Sequence, residues 1–339
     1  MSRRTLFGRV APTGAERAIE RIVAHGLDLL VSLPGTQVLP LWDASDRGSA
    51  MRLVVPRSER SGGFIAEGYG LASGRPAVVA NTLGPGVANE LVAVASANRS
   101  NSPVLYLTPC QPQRKRARLD EVFQGLDHAS YMSGVARDQV LCDDSDALES
   151  SIDQALGGAL GEPTGPVRLD VSFPIFFRRS PRLGSTPLRK IPSRPPLAAP
   201  GADLILALED SSLSDSLLLD RVGLGGGPRR RAVHPGIDSP GSGLSFALGL
   251  RLGRPRSPVV IVTTLEGLLA QLGVAVVANS QRVGLTFAAL ETSAVATTVR
   301  DAASATGAAW MPIDPAGSPK DIRSAFGSRS KGLTVLVDG

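Results

Sequence analysis

The amino-acid sequence predicts an α/β protein made of two parallel-sheet domains in series. Apolar runs of strand length alternate with segments whose apolar residues recur at helical spacing, the pattern of a parallel sheet covered by helices. The alternation stops at Ser180 to Gly201, a stretch with six prolines and no acidic residue, and then restarts. A chain of 339 residues, 42% apolar and 20% charged, can bury two cores of ordinary domain size.

The elements follow in order. Thr13 and Glu16 form a capping box ahead of Ile19, Ile22 and Val23, which predicts a helix from Thr13 to about Ala24. Strands are predicted at Leu29 to Leu33, Leu53 to Val55, Ala77 to Ala80 and Val104 to Leu107, with helices from Ser61 to Ser73 and from Val87 to Ala97 between them. A helix from Ser145 to Leu160 and a strand from Val167 to Val171 close a first domain at about residue 179. Residues 180–201 form a linker stiffened by proline. The second domain, 202–339, reads as a strand at Leu204 to Leu208, a helix ending near Leu252, a strand at Val259 to Val262, a helix from Leu268 to Val277, and strands at Val283 to Phe287 and Thr334 to Val337. The endings Gly165 to Val171 and Gly332 to Gly339 echo each other weakly, as related halves would.

Composition narrows the function. Aromatics make up 4% of the chain, too few for the stacking platforms of a single-strand binder, and the net charge of +5 is scattered apart from Arg114-Lys115-Arg116, Arg178-Arg179 and Arg229-Arg230-Arg231. Nucleic acid is therefore not an expected partner. Cys110 and Cys142 form no CxxC pair, and His25, His128 and His234 complete no zinc spacing, so no metal ligands are assigned. The basic N-terminus lacks an apolar h-region and no stretch is long enough to span a bilayer, which points to a cytoplasmic protein without a membrane partner. Gly223 to Gly227 looks like a dinucleotide loop but is followed by Pro228 and arginines, not by a helix.

The run Pro56 to Thr108, VPRSERSGGFIAEGYGLASGRP onward from Val55, contains the residues that suggest chemistry. It closely resembles the pyrimidine-binding domain of thiamine-diphosphate (ThDP) enzymes of the acetolactate synthase and 2-oxo acid decarboxylase group. The resemblance extends upstream to Leu33-Pro34-Gly35 and downstream through Phe123-Gln124. It implies that Glu59 is the carboxylate that hydrogen-bonds N1′ of the aminopyrimidine and sets its tautomer. By itself Glu59 is only an acidic residue at a helix start. The resemblance also implies cofactor contacts at Pro34, Gly35, Gly84, Pro85, Gly86 and Asn89. Gly84-Pro85-Gly86 would otherwise be an ordinary strand-to-helix turn with Pro in the first helical turn. Gln124 and His234 fall where the family places substrate-facing residues, although each could equally be a solvent-facing loop residue.

The second domain is similar to the family's diphosphate-binding domain through Ser239 to Val262, with Gly241, Gly243 and Gly249 in register. The resemblance then fails. Where the family has Gly-Asp-Gly, the chain has Thr264-Leu265-Glu266, and the region of the Asn-Asn pair reads Phe287-Ala288-Ala289-Leu290-Glu291. A hard cation needs oxygen ligands, and Leu265 and Ala289 offer none. Glu266 and Glu291 are out of register, and Pro240 replaces the bulky residue beneath the cofactor.

No central domain separates the halves, as in compact family members such as phosphonopyruvate and sulfopyruvate decarboxylases. The resemblance thus implies a subunit for 2-oxo acid decarboxylation or acyloin-type C–C bond formation. ThDP and Mg²⁺ would sit at a site shared with a partner chain carrying intact diphosphate motifs, in a homo-oligomer or hetero-oligomer. Two alternatives stand beside it: a non-catalytic regulatory or scaffolding paralogue, and an enzyme that uses the fold without thiamine. Small residues on the helices from Ser61 and Val87 (Gly62, Gly63, Ala66, Gly68, Ala93, Ala95, Ala97) suggest close helix contacts across a subunit interface.

Overall fold

The computed structural model describes residues 11–47, 50–180, 187–188, 204–209, 230–290, 293–313 and 333–338. Most of the proline-rich stretch, the glycine run 223–227, Arg229 and Glu291 lie outside the described residues.

Six parallel strands form the first sheet: β1 (Leu29–Ser32), β2 (Arg52–Val54), β3 (Ala77–Ala80), β4 (Val104–Cys110), β5 (Asp138–Cys142) and β6 (Pro166–Ser172), in the order β2-β1-β3-β4-β6-β5. The second sheet is also parallel. It comprises β7 (Leu204–Leu208), β8 (Arg230–Val233), β9 (Val259–Thr264), β10 (Leu285–Leu290), β11 (Ala309–Ile313) and β12 (Leu333–Asp338), in the order β11-β10-β12-β9-β7-β8. In each sheet the first strand lies between the second and the third, so the order reverses beside it. Such a switch point opens a crevice at the carboxyl ends of the strands.

The helices of the first half are α1 (Gly14–Ala24), α2 (Leu39–Asp46), α3 (Glu59–Ser73), α4 (Pro85–Arg99), α7 (Leu148–Ala159) and three short turns, α5 (Gln113–Arg116), α6 (His128–Met132) and α8 (Pro174–Phe177). Those of the second half are α9 (Ser242–Gly253), α10 (Leu265–Ala270), α11 (Leu272–Ser280) and α12 (Ser293–Thr306). The capping box of Thr13 and Glu16 starts α1 as its sequence requires. Arg17 and Arg21 on the buried face of α1 pair with Glu149 and Asp153 of α7 and fix the two helices side by side.

Alternation along the strands divides the first sheet into two faces. Leu30, Val78, Ala80, Leu105, Leu107, Val167 and Leu169 face α1 and α7. Leu29, Val31, Val79, Val104 and Tyr106 face α3 and α4, and this cluster continues without a break into the second half through Leu244, Phe246, Leu250 and Ile261.

The joint is the pair α3 and α9, which run side by side in the same direction. A Cβ on Gly68 would lie 2.1 Å from the Phe246 carbonyl oxygen, and one on Gly249 would lie 2.0 Å from that of Ile65. The contacts are reciprocal, and at both places only glycine lets the backbones touch. Of the small residues that suggested a subunit interface, Gly63 packs on Ala93, Gly62 on Pro56 and Gly68 on α9 within the chain.

Several elements differ from the sequence expectation. The helix predicted from Ser61 begins at Glu59, because Ser58 and Ser61 cap it reciprocally. The one helix predicted over 268–277 is two, α10 and α11, broken at Gln271, whose φ of −136° is not helical. The edge strands β5, β8 and β11, the helices α2 and α12 and the short turns α5, α6 and α8 went unpredicted.

Candidate functional site

Three loops meet at the switch point of the first sheet. Pro34 and Gly35 follow β1, Ser58 and Glu59 follow β2, and Gly84, Pro85 and Gly86 follow β3 and start α4. Gly35 packs on Thr82, with room for no more than a tight Cβ at 3.0 Å, and the Thr82 hydroxyl donates to Gln37. Asn81 ties the loops from below: its Oδ1 accepts from the Leu33 amide at 3.4 Å and its Nδ2 donates to Glu90 Oε2 at 2.9 Å.

Glu59 is half-buried in the first turn of α3, and Asn89 Nδ2 on α4 donates to its Oε2 at 3.1 Å. The structure thus brings Glu59, Asn89 and the Gly84 turn together. Gly84 has φ 70°, and the Gln124 carbonyl lies where a Cβ would stand, 2.3 Å away. Gln124 has φ 59° itself and lines a cavity of about 320 Å³ next to the turn, together with Cys110, Gln111, Arg116, His128 and Asp170. His234 is elsewhere. It is exposed in the loop before α9, whose Gly236 amide bonds Glu67 Oε1 at 2.9 Å. Glu67 is two helical turns beyond Glu59 on α3, about 12 Å along its axis, so His234 does not join Glu59.

Sequence reasoning missed the buried groups around this site. Glu90, 1% exposed on α4, has one oxygen without a partner, and burial pushes its pKa up to about 8 against the Asn81 hydrogen bond. Nearby Glu59 raises it further and Arg168 lowers it. His128 Nε2 accepts the Gly84 amide at 3.1 Å, and its Nδ1 faces Asp170 Oδ1 at 3.3 Å. Asp170 also pairs with the fully buried Arg168 two residues before it on β6. The adjacency of Asn89 and Glu90, and of Arg168 and Asp170 on one strand face, was the only signal in the sequence. Cys110 is buried and unpaired, and burial pushes its thiol up to about 12, so it is no nucleophile.

At the switch point of the second sheet the end of β7 carries Glu209, 5% exposed. Its Oε1 accepts the Gly241 amide at 2.5 Å and the Gly243 amide at 3.5 Å, and its Oε2 accepts the Thr263 hydroxyl. Leu265 and Glu266 open α10, with Glu266 exposed, and Ala289 is buried in β10. Among the described residues no group of three His, Cys, Asp or Glu side chains could hold a metal ion.

Residues 12–131 match the family of the thiamine pyrophosphate enzyme N-terminal TPP binding domain. Among curated proteins, the chain is 33% identical over 166 residues to 2-succinyl-5-enolpyruvyl-6-hydroxy-3-cyclohexene-1-carboxylate synthase of Chlorobium phaeobacteroides, covering 46% of this chain and 27% of the relative. It is 29% identical over 245 residues to the synthase of the same name from Renibacterium salmoninarum, covering 68% and 43%. The Escherichia coli acetolactate synthase isozyme 1 large subunit is 28% identical over 159 residues, covering 47% and 28%. The chain therefore spans less than half the length of these relatives. Among solved structures, benzoylformate decarboxylase from Polynucleobacter necessarius superposes with a TM-score of 0.72 at 11% identity, covering 96% of this chain and 98% of that one. The two parallel sheets with a site at each switch point are the fold of ThDP-dependent enzymes. Residues 12–131 carry that family's N-terminal TPP binding domain.

ThDP with Mg²⁺ makes two demands on such a site, and this chain meets one of them. On the pyrimidine side a half-buried carboxylate at a helix N-terminus, beside a glycine turn, suits an aminopyrimidine ring. On the diphosphate side the amides that could receive an anion are already bonded to Glu209, and Leu265 and Ala289 bring no oxygen to a cation. Among the described residues, the diphosphate side does not fit the group.

Proposed function

We propose that this chain is the pyrimidine-side subunit of a cytoplasmic ThDP-dependent enzyme that decarboxylates a 2-oxo acid or joins its acyl carbon to a second carbonyl compound. The diphosphate and Mg²⁺ ligands come from a partner chain with intact Gly-Asp-Gly and Asn-Asn motifs. The carrying observation is Glu59, bonded to Asn89 and set at the switch point beside Gly84, in a chain whose second switch point is filled by its own carboxylate. Here Glu59 holds a proton toward the ring nitrogen, Asn89 orients the carboxylate, and Pro34, Gly35 and Gly84 to Gly86 wall the ring. The cavity lined by Gln124 and Gln111 receives the substrate.

The filled second site also favours a non-catalytic regulatory subunit, and one experiment separates the two readings. The chain is co-expressed with such a partner, and CO₂ release from 2-oxo acids is measured for the wild type and for Glu59→Gln. Glutamine keeps the shape but cannot exchange the proton, so the rate falls roughly 10²- to 10⁴-fold while the complex still assembles. An unchanged rate assigns the chain to the regulatory class.

A further inference from the structure

Glu209 stands out in the second domain because three separate features of the fold are arranged around it. The first is the start of α9: the amides of Gly241 and Gly243 both point at Glu209 Oε1. The second is the Thr263 hydroxyl at the end of β9, which donates to Oε2. The third is steric. A Cβ on Gly267 would lie 1.9 Å from Glu209 Oε2, and one on Gly243 would lie 2.7 Å from Glu209 Cβ, so the side chain occupies space that two glycines leave open. Ser242 lies fully buried between the two donating glycines, and its hydroxyl has no partner among the described residues. A helix start of this kind, with a neighbouring hydroxyl and glycines that clear its approach, is a cradle for an anion.

We propose that Glu209 is a resident anion that fills this cradle and closes the second domain to diphosphate. Loss of the cation ligands at Leu265 and Ala289 and occupation by Glu209 then describe one change: the chain satisfies the cradle internally, without cation or cofactor. Three donors, two of them amides, would receive an inorganic diphosphate or phosphate if the carboxylate were withdrawn. The proposal does not depend on the role of Glu59 or on a partner chain, and its test uses neither.

Full-length protein labelled with ¹⁵N-glycine is titrated with inorganic diphosphate in the absence of metal, as the wild type, Glu209→Ala and Glu209→Gln. In the wild type the Gly241 and Gly243 amide resonances stay in place up to about 5 mM diphosphate, the cradle being full. In Glu209→Ala both resonances move on titration, and calorimetry shows diphosphate binding at least about tenfold tighter than to the wild type. Glu209→Gln, a neutral side chain of the same shape, shifts the Gly241 resonance before any ligand is added, because its acceptor has changed. Wild-type protein whose two amides respond to diphosphate as strongly as those of Glu209→Ala overturns the proposal. So does a folded Glu209→Ala whose amides ignore diphosphate. Should Glu209→Ala not fold, a Gly241 resonance that is the same in Glu209→Gln and the wild type overturns it instead.

Discussion

Glu90 and Glu67 are buried carboxyl groups held by neutral donors, Asn81 for the first, Ser100 and the Gly236 amide for the second. Burial raises their pKa values to about 8 and about 7. The folded state therefore keeps protons that the unfolded chain releases near pH 4.5. The stability linked to these groups is fully present below that pH and is lost as the pH rises through 7 and 8. We expect the melting temperature to fall between pH 5 and pH 8, and Glu90→Gln to flatten the fall, since a tenfold difference in proton affinity between the folded and unfolded chain is worth about 1.4 kcal/mol. A melting temperature with the same slope in the variant would remove Glu90 from this account. Glu59 was singled out because its neighbours carry a long, specific resemblance, and the structure sets it against Asn89. The sequence could not reveal Glu90, which sits beside Asn89 like any helical carboxylate until the packing of α4 is known. Glu209 was equally hidden: the groups that bond it lie far along the chain, at Gly241, Gly243 and Thr263.

The α3–α9 contact is decided by two hydrogen atoms where other residues have side chains. Gly249→Ala would drive a methyl group into the Ile65 carbonyl, which is backbone and cannot rotate away. Denaturant unfolding should show a loss of about 3 kcal/mol or more, at or beyond the upper end for overpacking. Gly157→Ala in α7, with nothing within 4 Å of the new methyl, should instead stabilise by about 0.5–1 kcal/mol. Equal effects at the two positions would mean that the helices are not in backbone contact. Most central elements were legible, since runs such as AVVA and VLYL can only be buried strands in this context. The missed strands are edges. β8 opens with arginines, β11 contains Pro312 and β5 mixes Asp138 and Gln139 with apolar residues, patterns that an edge tolerates and a centre does not.

For the whole molecule, the bonding of Glu209 to Gly241 and Gly243 and the apolar Leu265 and Ala289 have one measurable consequence. Titration calorimetry of the wild-type chain alone with ThDP and Mg²⁺ should show no binding tighter than about 1 mM. Tight, Mg²⁺-dependent binding would overturn the reading of this chain as a pyrimidine half-site. Two parallel sheets in series were readable from the alternation of elements and the proline-rich interruption. The strand order was not, because pairing between distant strands depends on packing that no local pattern records. The continuity of one core through both halves was hidden for the same reason.

That α3 and α9 lie parallel also has an electrostatic consequence. Each helix carries the equivalent of about half a positive charge at its N-terminus, and alignment in one direction sets two such ends at the same edge. Arg60, reaching from α3 to Ser239 and Pro240, adds a full positive charge there. Glu59 in the first turn of α3 and Glu209 against the first amides of α9 are the counter-ions of this edge, one half in solvent and one sealed inside. Any anionic guest arriving here competes with negative charge that the chain already carries at this edge.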